Sequence, residues 1–192
     1  MNTSELQRLR LELAQTSQWN IGYFISGFIF WSYATITGLM FPLMIARVWW
    51  LVGTFMIFPV AMAASRILGA DPFSNNNALG KLVGISHMGA IGLSFPIVLA
   101  SFLYFPAALL LVMAILYSVD FPVMSWVFGS KIFWLHAALR TALVTLIWFT
   151  LPELRVPLIP ITVALAYLLS IIAIPFLRRR WLELHKGINV GK

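Results

Sequence analysis

The sequence predicts an all-α membrane protein. The expected fold is a polytopic transmembrane bundle of six helices, built as three helical hairpins, with both termini cytoplasmic and a short amphipathic helix ahead of the first span. Three observations predict it. Hydrophobic residues make up 61% of the 192 residues and charged residues only 10%, whereas a soluble domain carries roughly 25% charged residues. Too few polar side chains exist to cover a water-soluble globule, and a mean hydropathy of +0.92 is equally far from the low hydrophobicity that disorder requires. Second, the apolar residues fall into six runs of about 20 residues, the length a helix needs to cross hydrocarbon. Third, the net charge of +7 is carried at the ends of those runs, where anionic lipid and the insertion machinery read it. That placement excludes nucleic acid as the partner and makes the lipid bilayer the expected one.

Residues 1–19 are polar and read as a cytoplasmic amphipathic helix. Ser4 and Gln7 have capping-box spacing, and Leu6, Leu9 and Leu13 share one face. The expectation is a helix lying on the membrane surface, with a docking helix for a partner as the sharper alternative. No signal-peptide core is present, so no cleavage is expected.

The transmembrane domain, 20–177, holds spans near 20–42, 48–66, 82–104, 107–128, 132–151 and 157–177. Pro42 and Arg47 divide what would otherwise be one long run. The runs lack the two-residue alternation of barrel strands, so helices are the spanning structure. With the amino terminus inside, ten of the thirteen Lys and Arg side chains face the cytoplasm, Arg47 and Arg155 face outside, and Arg140 lies within a span. This positive-inside bias places both termini in the cytoplasm. Trp19, Trp49, Trp50, Trp126 and Trp181 fall near the expected interfaces. Residues 178–192 form a basic cytoplasmic tail in which Arg178, Arg179 and Arg180 hold the terminus inside.

Phe-Pro recurs at 41–42, 58–59, 95–96, 105–106 and 121–122, and mid-span prolines such as Pro59, Pro122 and Pro175 are expected to kink their helices. Span three carries the small-residue rows Gly80, Gly84 and Ser86, Ala90, Ser94, which predict close packing and a central place in the bundle.

The residues that carry information about function are the polar ones inside the membrane. Asp120 in span four and Arg140 in span five each cost several kcal/mol at that depth unless paired or wetted. Counted from Lys131 at 1.5 Å per residue, they lie about 16 Å and about 14 Å deep, so an Asp120–Arg140 ion pair is expected. His136 lies one turn from Arg140, and Tyr117 shares the face of Asp120. His87 and Tyr167 fall about 9 Å and about 16 Å deep by the same count, and Ser32 and Thr35 put hydroxyls into span one. Convergence of these groups on one pocket open to the cytoplasm is the functional expectation. A purely structural ion pair that fixes helix register is the competing one. Glu153 and Arg155 are expected to form a solvated pair in an outside turn.

Cysteine is absent, and no metal, phosphate-loop or nucleophile-elbow motif occurs. No catalytic residue, metal site or cofactor is therefore expected, and enzyme chemistry would have to draw on His87, Asp120, His136 and Arg140 alone.

The layout resembles an uncharacterised family of small bacterial multi-pass membrane proteins. What carries the resemblance is the leucine-bearing amino terminus, the six spans and the Arg66-Ile67-Leu68-Gly69-Ala70-Asp71-Pro72-Phe73…Leu79-Gly80 connection. It implies a bacterial cytoplasmic membrane and supplies no activity. Two roles fit: a small permease or transporter of unknown substrate, and a non-catalytic membrane subunit or accessory protein. A homodimer or a partner membrane subunit is compatible with both.

Overall fold

The computed structural model describes residues 3–74 and 76–185. It is all-α, with six helical segments long and apolar enough to cross a membrane. These are Gln18–Met40, Leu43–Ile67, Ala78–Tyr104, Pro106–Phe128, Ile132–Thr150 and Pro152–His185; the first five lie within about five residues of the sequence expectation, and the last runs eight residues past the expected 177. Of the expected basic tail, 178–192, residues 178–185 continue the last helix, and 186–192 lie outside the described residues.

Helix α1 (Thr3–Thr16) does not float free. Leu9, Leu13 and Ala14 are buried against the protein itself, so the amphipathic face that read as a membrane-surface or docking stripe is consumed internally. Polar contacts fix it across one end of the bundle. Arg10 Nε donates to the Val127 carbonyl at 3.1 Å, Asn77 Nδ2 to the Leu9 carbonyl at 3.0 Å, and Arg178 Nε to the Ala14 carbonyl at 2.6 Å. A turn of three residues with positive φ, Gln18, Trp19 and Asn20 (49°, 55° and 55°), then reverses the chain. Left-handed backbone in non-glycine residues is strained. It is held here by the Trp19 indole, which is 1% exposed and packs on Phe128, Phe133 and Trp181 at 5.9–6.2 Å between ring centroids.

Helix α2 (Ile21–Met40), not span three, is the central helix, running along both α3 (Leu43–Ile67) and the last helix, α8 (Arg155–His185). Glycines permit the approach. A Cβ on Gly22 would collide with Ser65 and the Ala61 carbonyl, and one on Gly27 would sit 2.5 Å from the Tyr167 ring. Trp50 Nε1 ties the α2–α3 hairpin by donating to Thr37 Oγ1 at 3.0 Å and to the Ala34 carbonyl at 3.1 Å.

The connection to α4 (Ala78–Tyr104) explains its own composition. Gly69 takes φ 66° to end α3, as a left-handed C-cap position requires. Asp71 Oδ1 accepts from Phe73 N–H in a local turn, and Asn77 caps α4 by accepting from the amides of Leu79 and Gly80.

The small-residue rows of α4 do not place it centrally: Gly80 and Gly84 do permit a close approach, but to Phe73 and Ser74 of the preceding loop. Gly89 and Gly92 face open space, Ile85 and Leu93 are exposed, and the helix sits at the periphery. At Gly89 and Gly92 the small residue has no close neighbour to admit. Beyond α3 and α4, Arg47 donates to the Phe102 carbonyl at 2.7 Å, and Arg155 Nε donates to the Trp148 carbonyl at 2.8 Å over the Trp148 ring. Arg155 thus satisfies the C-terminal end of α7 (Ile132–Thr150) and makes no ion pair with Glu153.

Span four is broken. Helix α5 (Leu109–Leu116) gives way to tight turns through Tyr117–Asp120, and α6 (Phe121–Phe128) resumes. Pro122 lacks the N–H that would reach the Ser118 carbonyl, so that carbonyl accepts from Phe121 N–H at 3.2 Å instead. Asp120 is left at the amino end of α6, where the helix dipole favours negative charge.

Candidate functional site

Each element delivers a side chain to the break in span four. Asp120 is 5% exposed, and its Oδ2 lies 2.6 Å from Nδ1 of His87 on α4. Against the edge of the His87 ring stands Tyr23 of α2, 4.6 Å between centroids. The Tyr23 hydroxyl and His87 Nε2 are buried without a partner among the described residues.

The expected Asp120–Arg140 ion pair is not formed. Arg140, 0% exposed, donates from Nη1 to the Tyr167 hydroxyl at 2.8 Å. Its guanidinium lies 5.5 Å from the Phe121 ring and 5.3 Å from the Tyr167 ring, within cation–π range. The cause is rotation about the helix axis. Asp120 and Phe121 are consecutive and point different ways, so Phe121 meets Arg140 while the carboxylate meets α4. His136 lies on the Arg140 side, its ring 4.8 Å from Phe121 and 4.7 Å from Tyr167. Ser170 Oγ gives its proton to the Ala166 carbonyl at 3.0 Å, so it accepts from His136 Nδ1 at 2.8 Å. That assigns the neutral ring's proton to Nδ1.

Depth counting also needs correction. α6 ends at Phe128, and Gly129 takes a left-handed φ of 62°, so the residues between Phe128 and Lys131 add no helical rise. Lys81 sits one turn inside α4 rather than at its start. From the true helix ends, Asp120 is eight residues in, about 12 Å, and His87 nine residues in, about 14 Å. The two depths agree.

Four of the six expected polar residues, His87, Tyr117, Asp120 and Tyr167, line one cavity of about 330 Å³. Arg140 and His136 stand behind its wall of Phe121 and Tyr167. Thr35 instead bonds the Trp31 carbonyl of its own helix, and neither it nor Ser32 reaches the cavity. Tyr23, Trp31 and Thr54 line it and escaped sequence reasoning. Tyr23 and Trp31 are eight residues apart, a spacing that puts them on one helical face, but aromatic residues near an interface are ordinary membrane-anchor positions.

The cavity has a lateral mouth, where the expectation was an opening to the cytoplasm. Its rim is made of Phe55 and Phe58 on α3 and Met88 and Ile91 on α4, all exposed, Phe55 by 64% and Met88 by 59%. The mouth therefore lies between α3 and α4, which are bridged there by the Phe55–Phe95 ring contact at 6.1 Å. At that height the surroundings of a membrane-embedded bundle are lipid tails.

Among the described residues, no three His, Asp or Glu side chains converge as metal ligands. Comparison with curated proteins and with solved structures gives no match. Residues 6–176 match the model of a family of unknown function, DUF7010, and the chain belongs to that family.

Proposed function

We propose that this protein is a small permease of the bacterial cytoplasmic membrane, with both termini in the cytoplasm, and that the cavity floored by Asp120 and His87 is its substrate site. The observation that carries the reading is the break in span four. Discontinuous helices near mid-membrane, with a helix terminus and an ionisable group at the break, are how membrane transporters build substrate sites. Non-helical backbone at that depth is tolerated where it lines a cavity or is buried in protein, and an intramembrane carboxylate is by default a functional group.

The chain has no cysteine, which makes a substrate-independent test direct. A permease must expose its site to water at each face in turn, and a thiol reacts with aqueous reagents only where water lets it ionise. Ala90, on the cavity wall, and Leu93, exposed on the same helix, form the pair to compare. Ala90→Cys is expected to react with a membrane-impermeant maleimide added from either face, and faster than Leu93→Cys. Labelling no faster than Leu93→Cys contradicts the reading and favours a non-catalytic membrane subunit whose polar groups are structural.

A further inference from the structure

Eight of the cavity's eighteen lining residues are Phe, Tyr or Trp, three times their 15% share of the chain. Their rings surround one formal charge. Among the described residues, Asp120 is the single Asp, Glu, Lys or Arg on the lining, and the nearby cation Arg140 is walled off by Phe121 and Tyr167. A carboxylate at the bottom of an aromatic enclosure attracts organic cations twice over, by charge and by the negative faces of the rings. The same enclosure repels an anion of equal size. The mouth between α3 and α4 adds a second constraint, because a ligand arriving from lipid tails must be lipophilic.

We infer that the substrate class of this cavity is a lipophilic organic cation, which binds at Asp120 in exchange for the proton shared by the Asp120–His87 pair. The inference rests on the permease reading for its meaning but is tested by binding alone. The exchange balances. With one proton shared across the 2.6 Å contact, on the imidazole or on the carboxylate, the pair is neutral. After binding, the carboxylate pairs with the cation, His87 is neutral and one proton has left, so charge is conserved.

The other groups facing the pair do not replace this proton. Tyr23 of α2, Tyr117 of the broken span and Tyr167 of α8 are phenols, α3 contributes only the Thr54 hydroxyl, and Arg140 of α7 keeps its charge. A second cavity of about 10 Å³ touches Asn20, Tyr23 and His87. That is about the space of one water molecule beside the pair.

The probes are tetraphenylphosphonium and tetraphenylborate, matched in shape and opposite in charge, titrated into the full chain in lipid nanodiscs by calorimetry. Tetraphenylphosphonium is expected to bind saturably and tetraphenylborate not. Repeating the titration in buffers of different ionisation enthalpy should show about one proton released per cation bound. Asp120→Asn should remove saturable binding. Tighter binding of tetraphenylborate, or cation binding without proton release, overturns the inference on the unmodified protein, so it stays testable if Asp120→Asn does not fold. Shielding of Ala90→Cys from either face defeats the permease reading without touching this result. Anion binding defeats the cation class and leaves the permease reading standing.

Discussion

Tyr167 is the side chain on which both halves of the polar centre depend. Its ring lines the cavity, while its hydroxyl is the hydrogen-bond acceptor of the fully buried Arg140, whose Nε and Nη2 have no partner among the described residues. Tyr167→Phe leaves a third N–H-bearing nitrogen of that guanidinium unsatisfied, and stranding a buried partner of a charged group costs about 1–3 kcal/mol or more. A lowered thermal midpoint in detergent is the expected result. Gly27 supplies the space for that ring, and Gly27→Ala places a methyl 2.5 Å from it. The overpacked core should lose about 1–3 kcal/mol. Gly89→Ala, with nothing near it, should be neutral or gain up to ~1 kcal/mol from helix propensity. Comparing the two melting curves checks that close helix packing lies at Gly27 of span one and not at the middle of span three. The residue list for the site was largely legible in the sequence because ionisable groups in hydrocarbon are rare and expensive. Which of them touch was not, because depth follows from counting whereas rotation does not.

Pro122 decides the behaviour of an entire span. Its position announced a kink, but the consequence, four non-helical residues and an aspartate at a helix start, depends on how Ser118 and Phe121 re-pair their backbone groups. Pro122→Ala restores an N–H able to reach the Ser118 carbonyl and favours a continuous helix. Continuity would turn Asp120 away from His87. Loss of tetraphenylphosphonium binding with unchanged or raised thermal stability is the expected outcome. Retained binding would mean that the break is not what positions the carboxylate. Helix α1 makes the complementary case. Its leucine stripe was readable, but sequence alone does not say whether such a stripe meets lipid, a partner or its own bundle. Leu13 is fully buried, so Leu13→Ala should cost about 2–5 kcal/mol, a loss visible by thermal denaturation. A helix merely resting on lipid would give almost none.

At the scale of the molecule, α1 and the distal end of α8 are joined by the Arg178–Ala14 hydrogen bond, so both ends of the described chain occupy one face of the bundle. In the proposed orientation that face is the cytoplasmic one, as the positive-inside charge bias predicts. Thiols introduced by Thr3→Cys and Glu183→Cys should be labelled from the cytoplasmic side, and one introduced by Glu153→Cys from the other. Span number and boundaries were legible because hydrocarbon thickness fixes helix length. The lateral mouth between α3 and α4 was not, since it depends on two helices adjacent in sequence standing apart in space.

The central claim is that Asp120 meets His87 at the break in span four, with Arg140 turned away behind aromatic rings. Paired substitutions in this cysteine-free chain test it most directly, using a short methanethiosulfonate cross-linker. The combination His87→Cys with Asp120→Cys is expected to cross-link rapidly, and Asp120→Cys with Arg140→Cys only weakly. Efficient cross-linking of 120 to 140 and none of 120 to 87 would contradict the account.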